Sequence, residues 1–131
     1  MESFIETKIL REGKKNAVSF VTGCILPNKE HTFNLGDKFP FLVVSNSLRI
    51  DRIQFAFPKE LYGELWWEKC DKKEREFITP LLERGVYNYD WVGGVGCPPD
   101  CTGGLVLLLN NPDKYTQKRF QLLIDFTKSD Y

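Results

Sequence analysis

Apolar and polar residues alternate with a period of two along most of this chain, the pattern of strands that bury one face. Ser3 to Leu10 and Asn16 to Leu26 carry it on either side of Arg11-Glu12-Gly13-Lys14-Lys15, a polar turn. Pro27-Asn28-Lys29-Glu30 breaks the pattern, and His31 to Leu35 is a short strand ended by Gly36-Asp37. Phe39 to Ser45 follows, with Pro40 placing its start at a sheet edge or before the ladder begins. Leu48 and Ile50 sit in one phase, whereas Ile53, Phe55 and Phe57 sit in the other. Asp51-Arg52 between them therefore predicts a bulge or a corner, because an uninterrupted strand would turn one set outward.

From Leu61 to Lys69, the alternation puts Leu61, Leu65 and Trp67 on one face and Tyr62, Glu64, Trp66 and Glu68 on the other. Trp66 is thus expected among carboxylates on the wetter side. Phe77, Ile78, Leu81 and Leu82 have helical spacing instead. Thr79 as N-cap, Pro80 at the first position and Gly85 beyond the end predict a short helix there. Val86 to Val92 aligns Tyr87, Tyr89 and Trp91, with Asn88 and Asp90 opposite. Gly104 to Leu109 is continuously apolar, as a central strand covered on both sides would be. Asn110-Asn111-Pro112-Asp113 is a turn, and Lys118 to Thr127 presents Phe120, Leu122, Ile124 and Phe126 inward. Seven to nine short strands with turns between them predict one mainly β domain over 1–131. An antiparallel β-sandwich or small barrel with at most one short helix fits that pattern.

Composition narrows the function classes. Eighteen basic and eighteen acidic side chains cancel without forming a block, so there is no strong nucleic-acid signal. The longest aliphatic run, Leu105 to Leu109, is too short for a membrane span. The first residues have no basic and apolar leader pattern, and four irregularly spaced cysteines do not make a dense disulfide framework. An intracellular, cytoplasmic location is the expectation.

Trp91-Val92-Gly93-Gly94-Val95-Gly96-Cys97-Pro98-Pro99-Asp100-Cys101-Thr102-Gly103-Gly104 holds five of the ten glycines and two of the four cysteines. That mixture encodes a special loop rather than a regular element. It lacks the Gly-Lys-Ser/Thr of a phosphate loop, and no helix follows the glycines. Three residues separate Cys97 from Cys101, and Cys24 and Cys70 stand apart, so neither a metal nor a cofactor is expected. Cys24 and Cys70 read as small core residues, while the Pro-Pro-Asp turn allows a disulfide between Cys97 and Cys101.

Over six residues, Pro99 to Gly104 resembles the nucleophile loop of viral chymotrypsin-like cysteine proteases. The resemblance implies Cys101 as nucleophile, His31 as base and Asp37 or Asp51 as the orienting acid. Thr102 departs from that pattern by separating Cys101 from the glycines whose amides would build an oxyanion hole. The leading expectation is a non-enzymatic binding or assembly module for a protein or small ligand. Its binding residues would be Trp66, Trp91, Asp100, Gly94 and Gly96, an aromatic face beside a rigid Gly/Cys/Pro loop. A cysteine-nucleophile hydrolase using Cys101 and His31, or a β-barrel carrier with an aromatic-lined cavity, are the alternatives.

Overall fold

The computed structural model describes residues 2–39, 47–69, 74–96 and 101–129. Ten strands account for most of them. They are β1 (Phe4–Glu12), β2 (Asn16–Ile25), β3 (Lys29–Asn34), β4 (Ser47–Ala56), β5 (Tyr62–Lys69), β6 (Arg75–Leu82), β7 (Arg84–Asn88), β8 (Val95–Gly96), β9 (Cys101–Asn111) and β10 (Lys118–Ser129). Single 3-10 turns at Leu35–Asp37 and Asp90–Val92 are the only helical pieces among the described residues. None of the described residues forms a helix long and apolar enough to cross a membrane.

The strands form two antiparallel sheets. One runs β1-β2-β10-β4-β7, with β8 also pairing β4; the other runs β3-β9-β5-β6. β2, β4 and β6 each pass to the opposite sheet, and β9 returns to the first through 112–117. Two interleaved four-stranded sheets in the orders 2-10-4-7 and 3-9-5-6 have the connectivity of a jelly roll, with β1 added at one edge. The fold is therefore an open sandwich and not a closed barrel.

The facing sides of the sheets meet in one apolar cluster, as the alternation requires. Ala17, Val21 and Ile25 of β2 and Phe120, Leu122, Ile124 and Phe126 of β10 fill it from one sheet. Leu65 and Trp67 of β5 and Leu105, Leu107 and Leu109 of β9 fill it from the other. Phe57 and Phe120 pack with ring centroids 5.3 Å apart, and a Cβ on Gly63 would lie 2.5 Å from the Phe57 ring. Gly63 is thus the small partner that lets a large one in. β9 is covered on both faces at Val106, which is buried although it faces away from the cluster.

The bulge lies where the phase change predicts it. Asp125 pairs with Arg52 and Phe126 with Ile50, so Asp51 is the extra residue of β4. Ile50 and Ile53 are both completely buried as a result. The short helix does not form. Residues 79–82 belong to β6, which lies at the edge of its sheet, where Pro80 leaves no ladder donor missing. A register shift between Leu65 and Trp66 makes Ile78 the extra residue of β6. That bulge is the source of the helix-like spacing: it turns Phe77 outward and Thr79 and Leu81 inward. Pro40 to Ser45 of the expected strand after Phe39 lie outside the described residues.

Candidate functional site

Trp66 lies where the alternation puts it, on the outer face of β5, half-buried. Three cross-strand pairs build the surface around it: Tyr62 with Leu82, Glu64 with Pro80 and Trp66 with Phe77. The Trp66 and Phe77 rings meet edge to face at 5.0 Å. Tyr62, Phe77 and Leu82 are 36%, 46% and 51% exposed, so this apolar strip faces water and not the core. Leu108 of β9 extends it beside Glu64.

Glu64 holds the strip in shape. One carboxylate oxygen accepts from Trp66 Nε1 at 3.1 Å, and the other accepts from the Tyr62 hydroxyl. The hydrogen bond to Glu64, with smaller help from burial and from the carboxylate's charge, raises the Tyr62 pKa above the ordinary tyrosine value. A single carboxylate therefore orients the aromatic residues two positions before and two positions after it. Glu64 was not among the expected binding residues, although Tyr-x-Glu-x-Trp on one strand face already places all three together.

Trp91 is elsewhere. β7 ends at Asn88, and the 3-10 turn at 90–92 rotates Trp91 out of the stripe, leaving it 84% exposed. Tyr87 and Tyr89 stay against the core, with ring centroids 6.3 Å apart. Burial raises the Tyr89 pKa, opposed by a hydrogen bond with Thr79 of the other sheet. Trp66 thus stands on the β5 sheet and Trp91 in a turn that follows a strand of the other sheet, and β5 and β7 do not pair to join them.

The glycine loop begins as the sequence implies. Gly93 and Gly94 both have positive φ, 84° and 87°, and the amide of Gly94 donates to the Tyr89 carbonyl at 2.9 Å. A Cβ on Gly94 would strike the Arg49 side chain at 2.5 Å, so this glycine is required twice. Gly96 pairs with Arg49 in β8 and has open space around it. Cys97 to Asp100, and with them Asp100 and the disulfide that the spacing of Cys97 and Cys101 allows, lie outside the described residues, as does Cys70. Cys24 is a buried free thiol. It faces away from the main cluster, in register with Phe4 and Arg119.

A charged cluster surrounds the β4 bulge. Arg49 Nε donates to Asp51 at 3.1 Å, and Thr127 donates its hydroxyl to the second Asp51 oxygen. Arg52 pairs across the ladder with Asp125 on one side and Asn88 on the other. Desolvation raises the Asp125 pKa against the attraction of Arg52, and the charges of Asp51 and Asp90 add to the rise. A carboxyl whose folded pKa is raised adds stability below its unfolded pKa and loses it as pH rises through the folded value. The stability of the parent relative to Asp125→Asn should therefore fall between pH 3 and pH 7. Urea unfolding at both pH values checks this, and a difference that grows with pH contradicts it.

The structure does not bring His31 and Cys101 together. His31 pairs with Leu109 at one end of β9 and stacks on Phe33 at 5.7 Å, while Cys101 begins the same strand. Eight strand residues separate these points, on the order of 25 Å, far beyond the hydrogen-bond reach of a nucleophile and its base. Among the described residues, no three His, Cys, Asp or Glu side chains converge as a metal site would require.

No family model and no curated protein matches this chain. Among solved structures, it is similar to peruvianin-I, a cysteine peptidase from Thevetia peruviana latex, at 9% identity and a TM-score of 0.40. That match covers 92% of this chain and 60% of the peptidase. It is also similar to a cupin superfamily protein from Desulfitobacterium hafniense, at 8% identity and a TM-score of 0.39. Here 99% of this chain and 82% of the other are covered.

Proposed function

We propose that this chain is a non-enzymatic binding or assembly module that takes a protein partner on the outer face of β5 and β6. One observation carries the reading: exposed Phe77, Tyr62 and Leu82 and half-buried Trp66 flank Glu64 on one outer face, and Glu64 already fixes the two hydrogen-bonding aromatics. Orienting aromatic side chains before association reduces the ordering cost of binding, and aromatic anchors supply much of the energy of protein interfaces. β6, the edge strand of its sheet among the described residues, adds a backbone edge beside the strip. The exposed Trp91 and the turn through Gly93 and Gly94 present a second surface on the other sheet.

The test is a photo-crosslinking residue at Leu82, read in the cell of origin with and without Trp66→Ala. The expected result is a discrete adduct that Trp66→Ala abolishes and Glu64→Gln weakens, with both variants folded by thermal melting. An adduct unchanged by Trp66→Ala, or none at Leu82 or Phe77, would sink the reading.

A further inference from the structure

The opposite sheet carries a surface of different chemistry. On the outer face of the β1-containing sheet, Arg84, Ala56, Gln121 and Thr22 stand in one row across β7, β4, β10 and β2. Ala56 is the small member, and the notch above it opens into a cleft of about 810 Å³. Arg119, one pleat along β10 on the same face, and Lys59 of the β4–β5 connection complete its wall. None of the three cations forms an ion pair with a described residue, and Glu83 is the one acid among the described lining residues. Arg84 and Arg119 lie two strands and one pleat apart, roughly 12 Å between Cα atoms, so two extended guanidinium arms can converge on one group between them.

The next row is apolar except for Gln54. Val86, Gln54, Leu123 and Phe20 cross the same four strands and line a second hollow of about 530 Å³, which shares Ala56, Arg84 and Gln121 with the first. Val86 is 53% exposed there. A cationic cleft that continues into an apolar trough is complementary to a molecule with one charged end and one greasy end. Its size is that of a small-molecule site. An apolar trough has no use for a free inorganic anion, and a purely apolar ligand would leave the three cations unmatched.

We propose that this groove binds a small amphiphile with a single oxyanion, carboxylate or phosphate. The oxyanion sits between Arg84, Arg119 and Lys59, and the apolar part lies along Val86, Leu123 and Phe20. Gln121 and the Thr22 hydroxyl oxygen line the head-group end, the latter already donating to the Phe120 carbonyl at 2.9 Å. Glu83 at the rim disfavours a second negative charge placed toward the β6–β7 turn.

Octyl phosphate, octanoate, octanol and inorganic phosphate, each below any micelle concentration, are titrated into the full chain and followed by amide chemical shifts and calorimetry. Saturable shifts confined to 20–22, 54–59, 84–86 and 119–123 are expected for octyl phosphate or octanoate; whichever binds more tightly identifies the head group. Inorganic phosphate and octanol should bind at least tenfold more weakly. Arg84→Glu with Arg119→Glu should remove at least tenfold of the amphiphile affinity, and Val86→Ser should weaken the amphiphile but not inorganic phosphate. If the charge-reversed chain does not fold by thermal melting, Arg84→Gln with Arg119→Gln replaces it, with the same expectation. Absence of saturable binding by both amphiphiles, or binding indifferent to these substitutions, overturns the assignment.

Discussion

Replacing Asn111 by Ala is expected to cost about 3 kcal/mol, because it uncovers several buried backbone groups at once. The Asn111 amide donates to the carbonyls of Ile25 and Leu26 at 3.1 Å and of Thr116 at 3.0 Å, and its oxygen accepts from the Asp113 amide at 3.2 Å. The residue is completely buried, so water cannot replace it. Two amide hydrogens serve three carbonyls, one of them shared, and the side chain thereby ties the end of β2 to the segment that leads into β10. Asn28, whose amide donates to the Asp113 carbonyl at 2.8 Å, fastens the same junction from the β2–β3 turn. Asn111→Asp is the sharper variant. It keeps shape and acceptor, but turns a carboxylate toward three carbonyl oxygens, so it should be less stable than Asn111→Ala at pH 7. The introduced carboxyl would have a folded pKa above its unfolded value. Its loss should therefore shrink at pH 4 and grow as pH rises. Asp113 moves oppositely: hydrogen bonds from the Tyr115 amide and Lys118 lower its pKa, so its contribution fades as pH falls through the folded value. Reading each variant against the parent at the same pH removes that background. Urea unfolding within 0.5 kcal/mol of the parent for both variants would rule out the clamp.

How much of this was legible beforehand depended on whether a residue's role is local. The β4 bulge was, because Ile50 and Ile53 can both be buried only if one residue between them drops out of register. The outer placement of Trp66 followed from simple alternation on β5. The β6 helix failed because a bulge at Ile78 imitates helical spacing, and because Pro80 is tolerated once a strand is known to lie at an edge. Trp91 left its stripe because strand alternation stops where β7 stops, and no single residue announces that the next turn is 3-10. Asn111 looked like turn chemistry, since its carbonyl partners at 25 and 26 are more than eighty residues away. The cationic groove was invisible for the same reason: Arg84, Lys59 and Arg119 come to line one cleft only after β4, β7 and β10 have paired.

Trp67 provides the second large expectation, and a contrast that separates size from polarity. It is among the largest completely buried side chains, and Trp67→Ala should cost about 3–5 kcal/mol through lost transfer energy and the cavity left behind. Its indole nitrogen, however, is buried with no hydrogen-bond partner among the described residues. A buried donor left unmet costs roughly 1–3 kcal/mol, which would cancel part of what the ring contributes by packing. Trp67→Phe removes that donor together with part of the ring. It should cost less than about 1.5 kcal/mol, well under half of the alanine value, because relief of the unmet donor offsets much of the lost burial. Trp66 behaves oppositely: its N–H is met by Glu64 at 3.1 Å, so Trp66→Phe loses a bond and relieves nothing. Chemical unfolding of the four proteins decides the matter, with Trp91, exposed to water, replaced throughout so that its emission does not mask the transition. A Trp67→Phe cost equal to that of Trp67→Ala would mean that the nitrogen is satisfied and that its partner, not the ring's volume, is what the core requires.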